Sequence, residues 1–385
     1  MMLGYLLARA GIAVTVLEKH ADFLRDFRGD TIHPSTLTVM DELGLLDDFL
    51  KRPHQKVYRA QGEIGDTRVQ LADFSHLPGK CPFIAFMPQW EFLDFLAEKA
   101  RALPNFTLMM QAEATGLLRD GERVAGCGVQ TQGGLKEIRA GLTIGADGRQ
   151  SLLCDASGLK VRDLGAPIDV LWFKLAVRQN DSPAVFGRIA NGQVMVMLYR
   201  GDYWQCALVI RKGALEAVKA HGIDAFRARV AALAHRASAD EIKSWNDVKL
   251  LTVTVDRLER WHLPGLLFIG DAAHAMSPVG GIGINLAIQD AVAAANILVE
   301  PLRGNSLTEA DLARVQKRRR LPTRVTQAFQ VFAQNNVLGA ILGSERTPDL
   351  PLFVKFLQRW PVLQRIPARA VGFGIRPEHV RIALG

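Results

Sequence analysis

Residues 270–285 carry the side chains best suited to chemistry, because several glycines surround one carboxylate and one amide in largely apolar sequence. Asp271 follows Gly270, and Asn285 closes the run after Pro278. The other glycines of the run are Gly280, Gly281 and Gly283. Glycine lacks a Cβ atom and tolerates positive φ, so this backbone can approach a bound molecule closely. The composition favours binding of a polar, partly anionic ligand that is rich in hydrogen-bond acceptors.

A strand and a helix must hold this run in place. Residues 266–269 are consecutive apolar residues and predict a buried strand, and residues 284–298 have the apolar spacing of a helix. The start of a helix offers unpaired N–H groups and the positive end of its dipole. A Gly-Asp pair by itself is typical of a plain turn. Because each glycine loses extra backbone entropy on folding, we interpret the whole run as a ligand site.

The run resembles the FAD-dependent aromatic-ring hydroxylases of the para-hydroxybenzoate hydroxylase fold. In that family a strand ends in Gly-Asp, whose carboxylate binds the ribityl chain of FAD, and a Pro-x-Gly-Gly-x-Gly-x-Asn stretch passes along the isoalloxazine ring. The resemblance therefore implies that FAD is bound by these matching positions: Gly270, Asp271, Pro278, Gly280, Gly281, Gly283 and Asn285. Ile282 and Ala287 stand where many members carry Gln and Gly, a departure that concerns packing at the flavin edge.

A second match lies at residues 142–151, where a strand is followed by Asp147-Gly148. Taken alone, such a pair could close a hairpin. The resemblance implies instead that Asp147 and Gly148 lie near the FAD pyrophosphate. Cys154 occupies a place where the family usually has Arg, so one expected cation is missing.

The N-terminal residues give a third match. Residues 3–10 predict a helix that stops at Gly11, and residues 12–17 predict a buried strand that ends at Glu18. In a dinucleotide-binding βαβ unit an acidic residue at this place holds the adenosine ribose hydroxyls, so we predict that Glu18 binds FAD.

The resemblance also implies a strand and a Gly-x-Gly-x-x-Gly loop ahead of Met1, whose N–H groups would face the pyrophosphate. We expect that this fold is N-terminally truncated because a start was wrongly chosen or first residues were lost. The alternative is a true remnant with weakened FAD binding. A signal peptide at residues 1–11 is a third reading, but its apolar stretch is short and lacks a cationic start.

Two further positions carry over from the family. Arg28 matches the arginine of a loop near the flavin, although a solvated loop arginine is an equally good interpretation. Gln89 matches a Gln or Arg at a helix start that contacts the FAD ribityl chain or phosphate, a place that the helix dipole favours.

Length and composition agree with a multi-domain enzyme. The 385 residues are 49% hydrophobic, enough for a large core and for two or more domains. The net charge of +8 favours anionic small molecules over nucleic acid, because the basic run at 317–320 lacks interleaved aromatics and is read as a solvated helix face. The four cysteines show no metal spacing and fit a cytoplasmic protein. No stretch has the uninterrupted apolar length of a membrane span.

The order of motifs predicts an α/β fold with a discontinuous, Rossmann-like FAD-binding domain over residues 1–56, 87–163 and 249–300. Strands at 170–177, 185–189, 194–199 and 206–210 predict an inserted antiparallel sheet. With residues 57–86 this insert makes a substrate-binding domain, 57–86 and 164–248, in which 214–237 predicts a helix. Residues 301–385 form a helical C-terminal region that we expect to pack across the domains, with a dimer contact or a membrane surface as alternatives.

The function that the resemblance implies is hydroxylation of an aromatic or polyketide-like molecule with NADPH or NADH and O2, through a flavin hydroperoxide. Because the reactive group belongs to the cofactor, few catalytic residues are expected; the backbone of Pro278 matches one near the oxygen site. Tyr199, Tyr203, His33 and His274 are candidate proton handlers but more often structural. A flavin reductase, a halogenase-like enzyme and a non-catalytic FAD-binding remnant remain alternatives. No residue pattern identifies the substrate.

Overall fold

The computed structural model describes residues 1–24, 31–177, 185–234, 239–342, 344 and 350–383. The strands are β1 (Val14–Glu18), β2 (Thr31–Ile32), β3 (Gln55–Val57), β4 (Arg59–Ile64), β5 (Thr67–Asp73), β6 (Ile84–Phe86), β7 (Phe106–Met110), β8 (Glu113–Asp120), β9 (Arg123–Thr131), β10 (Gly134–Arg139), β11 (Thr143–Gly145), β12 (Val161–Asp163), β13 (Ile168–Ala176), β14 (Val185–Ala190), β15 (Gln193–Tyr199), β16 (Tyr203–Arg211), β17 (Lys249–Leu251), β18 (Asp256–Leu258), β19 (His262–Leu263) and β20 (Leu266–Phe268).

The helices are α1 (Met2–Arg9), α2 (Pro34–Glu42), α3 (Leu46–Phe49), α4 (Gln89–Arg101), α5 (Leu152–Ser157), α6 (Leu215–Ala220), α7 (Gly222–Leu233), α8 (Gly283–Arg303), α9 (Glu309–Ala333), α10 (Gly339–Leu342), α11 (Leu352–Arg359) and α12 (Arg365–Gly372). Short 3₁₀ turns at Gly270–Ala272 and Val279–Gly281 lie between β20 and α8, and a π-helical turn at Gln334–Leu338 joins α9 to α10.

Parallel strand pairs bring together loops that are far apart in the sequence. β11 pairs in parallel with β20, from Thr143 opposite Leu266 to Gly145 opposite Phe268. Parallel strands end at the same edge of a sheet, so the loop after β11 and the loop after β20 leave side by side. The pair β1–β7 is also parallel, and α1 packs on β1 and α8. The contact between α1 and β1 is close, because a Cβ on Gly4 would lie 2.7 Å from Val16 Cγ2.

The predicted inserted sheet is present as a seven-stranded sheet in the order β17-β13-β16-β15-β14-β4-β5. One face packs against α7, where Phe226 meets Phe173 edge-on at 5.5 Å between ring centroids. The other face carries Val170 and Val194 against α10, and Leu198 against α12. The sheet therefore has one face covered by α7 and the opposite face directed toward the C-terminal helices α10 and α12.

Three details differ from the sequence prediction. β6 leaves the large sheet and pairs with β2 and β3, whereas β17, placed by the prediction in the FAD-binding domain, pairs with β13. The helix predicted at 214–237 is two helices over its described part, residues 214–234, because Gly222 adopts φ +85° and breaks the chain direction after α6; residues 235–237 lie outside the described residues.

The basic run of α9 is also not a purely solvated face. Arg320 is exposed as predicted, but Arg319 is buried against Asp290, and Arg318 binds Glu378 in the C-terminal tail. The helix thus turns the two middle cations of the run inward, where the Glu378 and Asp290 carboxylates pair with them. The tail contacts both the large sheet and α8, since α11 and α12 contact β5 and the His379 carbonyl accepts from Asn296 Nδ2.

Within the described part of the chain, one apolar helix is long enough to cross a bilayer by length and composition, namely Val279–Arg303. Of its most apolar 18-residue stretch, 67% is buried inside the protein, as in the core helix of a globular fold. Its buried positions include Leu286, Val292 and Leu298, which pack into the main hydrophobic core.

Candidate functional site

The loops after β11 and β20 are joined by an ion pair between Arg149 and Asp271. The Arg149 Nε atom donates to Asp271 Oδ2 at 3.0 Å, and Nη2 donates to the Met276 carbonyl at 2.9 Å. The third nitrogen, Nη1, is buried and has no hydrogen-bond partner among the described residues. Arg149 lies within the motif at residues 142–151, and the sequence alone assigned no role to it. The structure makes it the residue that orients the predicted ribityl-binding carboxylate.

The glycines of the run 270–285 have different local causes. Gly270, Gly280 and Gly281 adopt φ values of +60°, +80° and +62°, which other residues rarely tolerate. A Cβ on Gly281 would also lie 2.2 Å from Thr31 Oγ1, so the fold itself requires glycine there.

Gly283 is the exception among these glycines. A Cβ atom there would make only ordinary contacts, 3.7 Å from Met276 Cβ and 3.9 Å from Asp271 Oδ1. Nothing in the described protein therefore demands glycine at the start of α8. The space that its missing side chain leaves adjoins the Asp271 carboxylate.

The Asn285 side chain makes all its hydrogen bonds to other groups of the protein. Its Oδ1 accepts from the His33 backbone N–H and from Thr36 Oγ1, each at 2.8 Å, and its Nδ2 donates to the Thr31 and Gly281 carbonyls. A side-chain amide has two donors and two acceptor positions, and all four are filled. Asn285 is a predicted FAD-binding residue, but its side chain fixes β2, α2 and the glycine-rich loop to α8 and has no polar position left for a ligand.

Asp290, in the middle of α8, holds the Gly270-Asp271 turn through a hydrogen bond to its backbone. Its Oδ2 accepts from the Gly270 N–H at 3.1 Å and contacts His274 Nε2 at 2.6 Å, while Oδ1 accepts from Arg319 Nε at 2.8 Å. Burial alone would raise the pKa of Asp290, but the charges of and hydrogen bonds from His274 and Arg319 outweigh burial and hold the pKa below its usual value. The site thus rests on a buried carboxylate that stays ionised.

A second carboxylate that the sequence did not single out lies near Asp271. Asp256 Oδ1 accepts from the Ala275 N–H at 3.4 Å. Burial raises the pKa of Asp256, and the Asp163 and Asp271 carboxylates add to the increase, while Arg149 opposes it. Gln327 on α9 holds the same region, because its Nε2 donates to the Asp256 and Ala275 carbonyls. These residues come from separate strands and helices, and no local motif connects them.

Asp147 and Gly148 lie next to Arg149 in the loop after β11. The Asp147 carboxylate accepts from Ser151 Oγ at 2.6 Å and from the Leu153 N–H at 3.3 Å, which orders the start of α5. Gly148 adopts φ +87° and turns the chain toward Arg149. This loop is not a hairpin, because β11 pairs in parallel with β20.

The other predicted FAD-binding residues that the structure describes lie at the ends of helices, strands or turns. Glu18 ends β1 and accepts from the His20 N–H at 2.9 Å. Burial lowers the pKa of the Met1 amino group, and the Glu18 carboxylate opposes that change, so Glu18 lies near the first turn of α1. Gln89 is the first residue of α4 and Pro278 directly precedes the 3₁₀ turn at Val279–Gly281. Arg28 lies outside the described residues.

The candidate proton handlers are placed in structural surroundings. Tyr199 packs edge-on against Trp204, on the side of the sheet that faces α7, and Tyr203 stacks with the Lys174 ammonium at 4.8 Å. His274 is the buried partner of Asp290. His33 is fully buried, its Nδ1 bonded to the Val371 carbonyl at 2.8 Å, and burial lowers its pKa to about 4.

These features fit a ligand such as FAD. A buried Arg149 nitrogen without a partner, an open Cβ position at Gly283 and a 21-residue helix that starts there without acidic residues in its first turn all favour an acceptor-rich, partly anionic molecule. The fold and site define a flavoprotein of the Rossmann-like class, with a sheet-rich domain and a helical C-terminal region.

Comparison with known proteins agrees with that class. A family model described as an FAD binding domain matches residues 1–329, and the chain belongs to this family. The 6-methylpretetramide 4-monooxygenase of Streptomyces rimosus is 32% identical over 98% of this chain and 91% of its own length. The chain is an FAD-dependent oxidoreductase of the monooxygenase class, with NAD(P)H as co-substrate.

Two further similarities are more distant. A rifampicin monooxygenase of Streptomyces venezuelae is 26% identical over 76% of this chain, which spans 60% of that protein. The solved structure of OxyS, an anhydrotetracycline hydroxylase from Streptomyces rimosus, superposes with a TM-score of 0.73 at 22% identity, over 97% of this chain and 74% of that one. This second similarity concerns the fold.

Proposed function

We propose that the chain hydroxylates an aromatic or polyketide-like small molecule with FAD, NAD(P)H and O2. The observation that carries the proposal is the 32% identity, over nearly the whole chain, to a protein named for monooxygenation of 6-methylpretetramide. The retained Asp271 turn and the glycine-rich loop support it, because they provide the local chemistry that a flavin site needs.

The FAD-binding residues are part of this proposal. Asp271 would bind the ribityl chain, the loop from Pro278 to Gly283 would pass along the ring system, and Glu18 would bind the adenosine end. The carboxylate of Asp271 is already oriented by Arg149 at 3.0 Å, so a hydroxyl-bearing chain would meet a fixed acceptor. Gln89, at the start of α4, would add a donor beside the positive helix end.

The remaining assigned residues keep lesser roles. Asp147 and Gly148 would shape the wall on the pyrophosphate side, and Arg28 stays a prediction of the flavin-side loop. Asn285 acts by holding the loop, as its filled hydrogen bonds indicate.

Bound FAD supplies the electron transfer and oxygen activation that protein side chains cannot. The chain's own task is to position the substrate and exclude water. The face of the seven-stranded sheet opposite α7 suits that task, because the partly buried Trp172 and Val196 give it an apolar surface beside the positions that α10 and α12 cover. We propose this sheet as the substrate-binding domain and the segments around α1, α4 and α8 as the FAD-binding domain.

The test is a turnover assay with isotopic oxygen. Purified protein is supplied with FAD, with NADPH or NADH, and with a panel of monocyclic and polycyclic phenols under ¹⁸O2, and products are analysed by mass spectrometry. Incorporation of one ¹⁸O atom into an aromatic product supports hydroxylation. Reduced cofactor consumed with hydrogen peroxide as the sole product, or a halogenated product when halide is added, would overturn it.

Location and assembly are also proposed. Cys81, Cys127, Cys154 and Cys206 are all free and buried, which suits a reducing cytoplasm. We propose a homodimer, which light scattering of the purified protein would test.

A further inference from the structure

Two short helical segments near the end of the chain turn apolar side chains toward solvent. They are α11 and the stretch from the 3₁₀ turn Pro361–Gln364 through α12. Six large apolar side chains here are between 48% and 73% exposed. We call these six the apolar patch: Leu352, Phe353, Phe356, Trp360, Val362 and Ile366. Exposed apolar sets of this density mark interaction surfaces.

The members of the patch share faces because of helix spacing. Leu352 and Phe356 are four residues apart and so lie on one side of α11, and Trp360 follows directly after the helix ends. The rings of Phe356 and Trp360 stack with centroids 5.2 Å apart and planes 13° apart. Val362 and Ile366 repeat the same interval in the following segment.

The opposite faces of these segments hold them on the protein. Val354 and Ala368 are buried, and Ala368 belongs to the small core under β5. Gln358 exchanges two hydrogen bonds with the Gln70 backbone, at 2.7 and 3.2 Å. The attachment therefore uses the inward faces, and the outward aromatic side chains are left for another purpose.

Three members of the apolar patch are each directly preceded in the sequence by a cationic residue. Lys355 precedes Phe356, Arg359 precedes Trp360, and Arg365 precedes Ile366 in the sequence. A fourth cation, Arg369, lies one turn further along α12, and all four are exposed. Residues 350–377 contain no Asp or Glu, and among the described residues none of the four cations makes an ion pair with a carboxylate.

The charge pattern distinguishes between two possible partners of the apolar patch, a second copy of the chain and a lipid surface. A twofold contact between two copies would place the patch opposite itself, so four cations of each copy would face each other without a carboxylate, and like charges repel. Basic amphipathic helices with Trp, Phe and Leu on the apolar side lie in lipid interfaces, and Trp prefers the headgroup level. We propose that the apolar patch docks the enzyme on an anionic lipid surface, with its flanking cations against the lipid phosphates.

The test is vesicle flotation of the full chain loaded with FAD. Vesicles of phosphatidylcholine alone are compared with vesicles that also contain phosphatidylglycerol. We expect flotation with the anionic vesicles, a roughly fivefold weaker partition for Arg359→Gln or Arg365→Gln, and a loss of roughly tenfold or more for the double variant Phe356→Ser/Trp360→Ser.

A matched control is available on α9. Phe329 and Phe332 are 57% and 61% exposed, so Phe329→Ser/Phe332→Ser removes similar exposed rings from another surface and should leave flotation unchanged. The single arginine variants keep the test valid if the double patch variant fails to fold. Absence of flotation, equal flotation of wild type and patch variants, or an equal loss in the control would overturn the proposal. A dimer in light scattering that only the patch variant abolishes would also overturn it.

Discussion

The Oδ2 atom of Asp290 accepts a hydrogen bond from the backbone N–H of Gly270 at 3.1 Å. The bond joins α8 to the turn that presents Asp271, and Arg319 and His274 hold the same carboxylate from two other sides. Asp290 and Arg319 are 0% and 1% exposed. The geometry of the candidate flavin site therefore depends on a fully buried ion pair behind the turn.

Replacement of Asp290 tests this dependence. In Asp290→Asn the buried Arg319 guanidinium loses its 2.8 Å partner and keeps only the Glu378 carboxylate at 3.4 Å; breaking a buried pair in this way costs about 3 to 5 kcal/mol. We expect a lower free energy of unfolding in urea and weaker FAD retention. Glu137→Gln, which neutralises an exposed carboxylate paired with Arg139, should change neither quantity. An unchanged unfolding midpoint for Asp290→Asn would contradict the role given to this pair.

A substitution at Gly283 can test whether glycine is needed there for ligand binding and not for folding. A methyl group at Gly283 meets no described protein atom closer than 3.7 Å, but it lies beside Asp271 Oδ1. We expect Gly283→Ala to keep or slightly raise the thermal midpoint of the apoprotein, since Ala is the better helix former. Its FAD dissociation constant should rise roughly tenfold because the methyl group crowds the bound molecule.

Gly281→Ala provides the contrasting variant. Its Cβ atom would clash with Thr31 Oγ1 at 2.2 Å, at a φ of +62°, so the apoprotein itself should be destabilised. Thermal melts of both apoproteins and FAD titrations followed by flavin fluorescence check the pair. If Gly283→Ala binds FAD as wild type does, the ligand does not occupy the space beside Asp271.

Arg149 should act through the orientation of Asp271. Its guanidinium reaches the Asp271 carboxylate and the Met276 carbonyl together, which a single ammonium group cannot reproduce. We expect Arg149→Lys and Arg149→Gln to weaken FAD binding, the Gln variant by roughly tenfold or more because charge-assisted hydrogen bonds are lost. Arg139→Gln, at an exposed ion pair, is the control. Equal FAD affinity in all four proteins would leave Arg149 without a role in the site.

The sequence predicted the parts of this site that are local. The strand 266–269 and the helix 284–298 correspond to β20 and α8 within a few residues, because apolar spacing and glycine are short-range signals. The support network was not predictable, since Arg319 lies 29 residues from Asp290 and Glu378 lies 59 residues from Arg319. The filled hydrogen bonds of Asn285 were missed for the same reason. Only the packing of β2 and α2 on α8 reveals them.

His33 predicts a pH dependence of stability. Burial lowers its pKa to about 4 from an ordinary value of 6.5, so between these values the unfolded chain binds a proton that the folded chain does not. The free energy of unfolding is therefore highest above pH 6.5, where His33 is neutral in both states. It decreases by about 3 kcal/mol in total as the pH falls toward 4. We expect His33→Asn, whose amide can still donate to the Val371 carbonyl, to flatten the profile of unfolding free energy between pH 4.5 and 6.5. His76→Asn, at an exposed histidine, should follow the wild-type profile, and parallel profiles for wild type and His33→Asn would show that His33 is not the group responsible.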